Sequence, residues 1–429
     1  MPNPKRPLSR ARIPLLLVAG GAFVIGALFM SGWSGVIERA IAQVGEFITP
    51  PTATFSRTNT PEKQGDEAKT PAPPRAEHIP EPESVRAIYM SQCAAATDSY
   101  RTSLMKLMDE TELNAIIIDL KDYSGTVSFP SETAERGGKG CTIADFRAFV
   151  EQLHEHRVYV IGRLTVFQDP LYTKAHPQLA VQSKKGGIWK DRKGLSFVDV
   201  GAAPFHDYII ALAREAHDLG VDEINFDYIR YPSDGDMNDT VFTHSTNEMP
   251  VQLELFFKKL AEAVRAEQLD HMPVLSADLF GMVTTNYDDL NIGQVLERAL
   301  PYFDYIAPMV YPSHYPSGFR GYKNVNERGY DIVNYSMEIA VKRTVATTTK
   351  ISALAYERIG TSTPALYAKP AYDKNKLRPW LQDFNYPVAY TPAMVEEQIK
   401  ATYDAGLDSW MFWDPANKYN SLRPVLKPD

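Results

Sequence analysis

The run Gly220-Val221-Asp222-Glu223-Ile224-Asn225-Phe226-Asp227-Tyr228-Ile229-Arg230-Tyr231-Pro232 is β-rich, bracketed by Gly and Pro, and carries its charge toward its end. A strand over Glu223–Ile229 would place Asn225 and Asp227 on one face and Phe226 on the other, because side chains alternate along a strand. A helical pattern precedes this run at Pro204–Leu219, and another follows it at Val251–Glu267.

The same unit recurs in both directions. Further strands are expected at Val85–Ser91, Ala115–Leu120, Val158–Leu164, Val274–Leu279, Tyr305–Val310, Leu377–Leu381 and Ser409–Trp413. Helices are expected between them at Ser99–Thr111, Ile143–His156, Ile292–Leu300, Tyr330–Thr344 and Pro392–Ala405. Several of the strands are almost continuously apolar, as strands must be when both faces are covered. Alternating strands and helices imply a parallel sheet, and eight strands between residues 85 and 429 match the count of a (β/α)8 TIM barrel. An open doubly wound sheet is the competing α/β arrangement. It would be expected to show a Gly-rich phosphate loop after the first strand, and Met90-Ser91-Gln92-Cys93-Ala94 is not one.

The residues ahead of the barrel read differently. Lys5, Arg6, Arg10 and Arg12 precede an uncharged run from Ile13 to Trp33, long enough as a helix to cross a hydrocarbon core of roughly 30 Å. The expectation is a cytoplasmic N-terminus at 1–12, a transmembrane signal anchor at 13–33 and a domain exported to the far side of a bacterial cell membrane. A cleaved signal peptide is the alternative, although Ala40-Ile41-Ala42 lies beside Glu38 and Arg39 and is a poor cleavage site. Residues 34–84 include a Pro-, Thr- and Glu-rich stretch with almost no large apolar side chains, and read as a largely disordered tether. The two cysteines, Cys93 and Cys141, fall near one rim of the expected barrel, and outside the cytoplasm they would pair; two free buried thiols are the alternative. A composition of 44% hydrophobic and 23% charged residues suits a sizeable core, and a net charge of −8 argues against a general nucleic-acid binder.

Barrel chemistry collects at the C-terminal ends of the strands. By position the first strand delivers Tyr89 and Ser91 there, the second Asp119, Lys121 and Asp122, and the third Arg163. The fourth delivers Asn225, Asp227, Arg230 and Tyr231; the fifth Ser276 and Asp278; the sixth Met309, Tyr311 and His314. Gln382 and Asp383 come from the seventh, and Trp413 and Asp414 from the eighth. Carboxylates, a few cations and many aromatics at one mouth suit a sugar, because glycoside hydrolysis needs two carboxyl groups flanking the bond. Asp227 and Asp278, on adjacent strands, are the expected catalytic pair. The expected substrate-binding residues are Asp119, Lys121, Arg163, Arg230, Tyr311, His314, Trp380, Gln382, Asp383 and Trp413, with Trp189 and Trp410 as further stacking candidates. The competing reading is that these charges form structural ion pairs, Asp227 with Arg163 for example.

At this point the motifs carry a resemblance. Residues 220–232 resemble the fourth-strand signature of barrels distantly related to the α-amylase-type glycosidases. Ile118-Asp119-Leu120-Lys121-Asp122, Met309-Val310-Tyr311-Pro312-Ser313-His314-Tyr315, Arg378-Pro379-Trp380-Leu381-Gln382-Asp383-Phe384 and Trp410-Met411-Phe412-Trp413-Asp414-Pro415 are together similar to a bacterial glycosyl hydrolase family first described as a domain of unknown function. The resemblance spans about Val85 to Leu426. It implies a TIM barrel acting on an extracellular or cell-envelope polysaccharide, with Asp227 as the fourth-strand nucleophile and Asp278 as the fifth-strand acid. The α-amylase type carries Glu at that fifth-strand position, and the family carries Asn where this chain has Asp414. A non-catalytic glycan-binding or scaffolding barrel is therefore the alternative function.

Three other features carry weaker signals. His154-Glu155-His156 lacks zinc-protease spacing and reads as a solvated helix end. Asp234-Gly235-Asp236-Met237-Asn238-Asp239 lacks the Gly and the closing acid of a calcium loop. Ser183–Lys193 reads as a solvated basic hairpin, an anionic glycan being its functional alternative. No metal or cofactor is expected.

Overall fold

The computed structural model describes residues 76–266 and 271–428. The expected 1–12 tail, the 13–33 anchor and the first part of the tether lie outside the described residues. Among the described residues no helix is long and apolar enough to cross a membrane.

Eight parallel strands close into a barrel. They are β1 Arg86–Met90, β2 Ala115–Lys121, β3 Tyr159–Thr165, β4 Glu223–Asp227, β5 Val274–Phe280, β6 Tyr305–Met309, β7 Trp380–Gln382 and β8 Trp410–Trp413. Each pairs with its sequence neighbours, and β1 closes on β8 with Ala87 opposite Met411. The principal helices between them are α1 Asp98–Asp109, α2 Phe146–Glu155, α3 Ala203–Asp218, α4 Met249–Val264, α5 Leu296–Ala299, α6 Gly329–Val345 and α7 Pro392–Asp404.

Alternation along the strands makes two cores. Ala87, Ile117, Tyr159, Ile161, Ala307 and Met411 fill the barrel interior. Their neighbours Ile88, Ile116, Val160 and Ile224 face outward and meet Leu104, Phe149, Ile209, Phe256, Ile332 and Val395 of the helices. Each such side chain contributes roughly 1.5–3 kcal/mol by leaving water. Local signals fix the helix starts: Pro392 sits in the first turn of α7, and the Thr391 hydroxyl caps it by accepting from the Met394 N–H. The helix expected over Ile292–Leu300 is reduced to α5. Leu290, Asn291 and Gly293 all have positive φ, which forbids an earlier helical turn.

The base of the barrel is closed by residues that composition assigns to the tether. The described chain is packed from Ala76 onward rather than from Val85. The Ile79 N–H donates to Asp222 Oδ1 at 3.0 Å, Ile79 packs against the inner core, and Glu81 pairs with Arg378. His154, expected at a solvated helix end, instead lies with Nε2 2.8 Å from Asp222 Oδ2 and is nearly buried. The segment docks through paired polar contacts rather than apolar mass, so its composition hides the docking.

The insertion after β3 is folded. Asp169 caps a short helix at Pro170–Ala175, and Gln182–Ser183 pairs with Thr240–Val241. Trp189 is buried against Val181 and Phe197, so it offers no face to a sugar. Cys93 and Cys141 are disulfide-bonded, tying the loop after β2 to the segment after β1.

Candidate active site

Asp227 is the last residue of β4. The next residue, Tyr228, takes a left-handed conformation (φ 50°), unusual for a bulky side chain. That turn brings the Tyr228 N–H back to Asp227 Oδ1 at 2.6 Å. Asp227 Oδ2 accepts from Arg163, whose Nε lies at 3.1 Å and whose Nη2 is closer. Register explains the meeting: Arg163 is paired with Asn225 across β3 and β4, so both point inward one step below Asp227. Arg163 Nη1 donates to Asp119 Oδ1 at 2.6 Å, and the Tyr89 hydroxyl donates to the other oxygen of Asp119.

Asp278 lies on β5 and is 1% exposed. Its Oδ1 accepts from Asn225 Nδ2 at 2.9 Å and from Trp380 Nε1 at 2.7 Å. Its Oδ2 lies 4.0 Å from Arg163 Nε. Because Asp227 Oδ2 lies 3.1 Å and Asp278 Oδ2 4.0 Å from the same nitrogen, these two oxygens are at most about 7 Å apart. Burial, then the charge of Asp227, pushes the Asp278 carboxyl well above the usual carboxylate range; Arg163 opposes this only in part. Burial also raises Asp119, again against Arg163.

A pocket of about 410 Å³ opens over this pair. Of the expected residues it gathers Asp227, Asp278, Arg163, Arg230, Tyr311, His314 and Trp413. Trp413 is half-buried, stacked on Tyr89 at 3.8 Å, with the Arg163 guanidinium 4.9 Å from its ring. Tyr228, Phe280, Met282, Tyr315, Phe384 and Pro415 complete much of the wall. Sequence placed none of these six in the site: five sit in turns after the strands, where alternation no longer says which way a side chain points, and Phe280 ends β5 one residue past the expected limit at Leu279. Gly281 carries a detectable signal: a Cβ there would lie 2.5 Å from the Met309 carbonyl oxygen, so the chain passes too close for any larger residue.

Five expected binding residues lie outside the pocket lining. A register shift between Asp119 and Lys121 pairs Lys121 with outward-facing Leu164. Lys121 is consequently fully buried and bound to Asp169 at 2.7 Å. Gln382 spends its amide on the Phe384 and Tyr386 carbonyls and thereby shapes the loop that carries Phe384. Asp383 faces the C-terminal segment, accepting from the Leu422 N–H, and burial pushes it up to about 7. Asp119 and Trp380 touch the pocket only indirectly, through their hydrogen bonds with Arg163 and Asp278. Trp410 is also unavailable to a sugar, buried with its Nε1 on the Tyr403 hydroxyl.

No curated protein matches this chain. Among solved structures it is similar to the PgaB (BpsB) glycoside hydrolase domain from Bordetella bronchiseptica, at 13% identity and TM-score 0.55, covering 80% of this chain and 99% of that one. It is similar to α-L-fucosidase isoenzyme 2 from Paenibacillus thiaminolyticus at 12% identity and TM-score 0.52, covering 80% and 48%. A hypothetical protein from Ruminiclostridium thermocellum ATCC 27405 shares 30% identity over 44% of this chain and 96% of that one, at TM-score 0.39. The first two likenesses speak for the barrel fold. The family described as "Putative glycosyl hydrolase domain" matches residues 87–419, most of the chain, and this protein belongs to it.

Proposed function

We propose that the barrel hydrolyses O-glycosidic bonds of a polysaccharide outside the cytoplasm. The observation that carries this reading is the asymmetry of the two aspartates beside Arg163. Asp227 is ion-paired to Arg163, while Asp278 is driven toward its protonated form by burial and by Asp227. Two carboxyls whose surroundings separate them in this way divide into a charged partner and an acid. Asp278 gives its proton to the glycosidic oxygen as the bond from that oxygen to the anomeric carbon breaks. The electron pair of that bond stays on the leaving oxygen. Asp227 faces the developing positive charge on the sugar as nucleophile or stabiliser; water then adds its oxygen to the anomeric carbon and returns a proton to the Asp278 carboxylate. Trp413, Phe280 and Phe384 supply ring faces for the sugar, and Tyr311 and His314 supply polar edges.

The Ile13–Trp33 run supports a membrane-anchored setting with the barrel outside the cytoplasm, and the Cys93–Cys141 bond fits an oxidising compartment. A second reading, a glycan-binding barrel without catalysis, is favoured by the near-complete burial of Asp278 and by the two donors already on its Oδ1. Incubating the full-length chain and its Asp227→Asn variant with bacterial and plant polysaccharides, and measuring new reducing ends, separates them. Hydrolysis by the parent that is lost in the variant supports catalysis. Full activity of the variant on an identified glycan would end the hydrolase reading as stated.

A further inference from the structure

Four arginines are buried among the described residues: Arg163, Arg230, Arg343 and Arg378. Three hold carboxylates directly. Arg163 has Asp119 and Asp227, Arg343 has Glu297, and Arg378 has Glu223 and Glu81. Arg230 is 8% exposed and has no carboxylate within ion-pair distance among the described residues. Its Nη1 donates to the Tyr231 carbonyl at 3.0 Å and to Ser233 Oγ at 3.1 Å, leaving Nε and Nη2 for other partners. The guanidinium is clamped between the Tyr228 and Phe280 rings, 4.9 and 4.7 Å from their centres.

Its location gives the unpaired cation a use. Arg230 and Tyr228 line the catalytic pocket and also a second pocket of about 370 Å³, whose wall includes Lys193, Gln168 and Ser233 and two carboxylates, Asp191 and Asp234. The carboxylates that face Arg230 from farther off are Asp227, Asp191 and Asp234. Asp227 is committed to Arg163. Asp191 Oδ1 accepts the Lys193 and Leu195 N–H groups, and Asp234 pairs with Arg192 at 3.5 Å. Leaving a buried charge without a counter-ion is costly, and a planar guanidinium held rigidly between two rings suits two parallel hydrogen bonds to a carboxylate.

We propose that Arg230 binds a carboxylate on the glycan, on the sugar next to the one in the catalytic pocket, so that the substrate is an acidic polysaccharide built with uronic acid. This rests on the glycosidase reading for what the site does next, but the recognition itself is a binding property. Lys193, exposed on the far wall, adds long-range attraction.

The test is therefore made by binding. The full-length Asp227→Asn chain is titrated calorimetrically with uronate-containing oligosaccharides, with the same oligosaccharides after carboxyl reduction, and with a sulfated set. The uronate form should bind about 10- to 100-fold tighter than its reduced counterpart. Adding Arg230→Gln should collapse that ratio to near unity, and Arg230→Lys should keep part of it. Lys193→Gln, at an exposed site that folding does not depend on, should lower it about two- to threefold at low salt only. Equal binding of the acidic and reduced forms, or an undiminished ratio in Arg230→Gln, overturns the proposal. Discrimination for the sulfated set alone overturns the carboxylate assignment. A barrel that fails to hydrolyse any glycan yet shows the Arg230-dependent ratio would sink the catalytic reading and leave this one standing.

Discussion

The barrel holds two arginine–carboxylate clusters on one axis, one at its base and one at its mouth, and they are built to different stoichiometries. At the base Arg378 gives Nη1 to both oxygens of Glu223, at 3.1 and 2.8 Å, gives Nη2 to Glu81, and lies 3.4 Å from the centre of the Tyr305 ring. One cation meets two carboxylates, and the Ala76–Ser84 segment, which carries Glu81, closes over them. At the mouth one cation, Arg163, meets three carboxylates: Asp119, Asp227 and Asp278. They cannot all be comfortably ionised so deep in the protein. Burial falls hardest on Asp278, and the space above is left open. Both clusters hold more carboxylates than cations; at the base each carboxylate is hydrogen-bonded to Arg378 and covered, while at the mouth Asp278 stands 4.0 Å from Arg163 under an open pocket.

That contrast can be broken in graded steps. Asp227→Asn should lower hydrolysis by about 10⁴-fold with little change in thermal unfolding, measured by reducing-end release and calorimetry. Asp278→Asn should lower it by about 10²- to 10⁴-fold. The parent's rate should fall as pH rises through the raised Asp278 value, since the acid must carry its proton. The folded-state value of Asp278 lies above its unfolded one. Its contribution to stability is therefore full below the ordinary carboxylate range and is lost as pH climbs through the raised value. Asp278→Asn escapes that loss and should be more stable than the parent by roughly 1 kcal/mol at neutral pH, with no advantage in acid. A variant less stable at neutral pH would mean that Asp278 is a structural acceptor.

Arg378→Met tests the other end. It strands Glu223, which is fully buried, and should cost about 3–5 kcal/mol in denaturant unfolding while leaving kcat/KM of the folded fraction unchanged. Equal losses of activity and stability would erase the distinction between the two clusters. The smallest effect is expected from Trp413→Ala, a rise in KM of about three- to tenfold with little change in kcat, from loss of one stacking face.

Much of this arrangement is legible in residue order. Seven of the eight strands lie within about two residues of where apolar runs place them, the seventh starting three residues later than the expected Leu377, and strand-end position carries Arg163, Asp227, Asp278, Tyr311 and Trp413 to one mouth. Legibility ends where the period breaks. The shift after Asp119 turns Lys121 out of the barrel, and β7 is so short that Gln382 and Asp383 serve the loop and the C-terminal segment instead. Met282, Phe384 and Pro415 line the pocket from turns whose backbone angles no periodicity reports. The Ala76–Ser84 segment shows the converse, since its Pro- and Glu-rich composition gives no hint of the individual contacts made by His78, Ile79 and Glu81.

Tyr228 binds two traits of the protein into one heritable unit. Its left-handed torsion turns its own N–H onto Asp227, and its ring stands between the two pockets. A β-branched replacement would resist that torsion, while glycine would adopt it but remove the partition. Drift at this position is therefore penalised through the chemistry even when selection acts only on which glycan fits. New specificities within the family are then expected to arise from Phe280, Met282, Phe384 and Lys193, which can change without disturbing the turn.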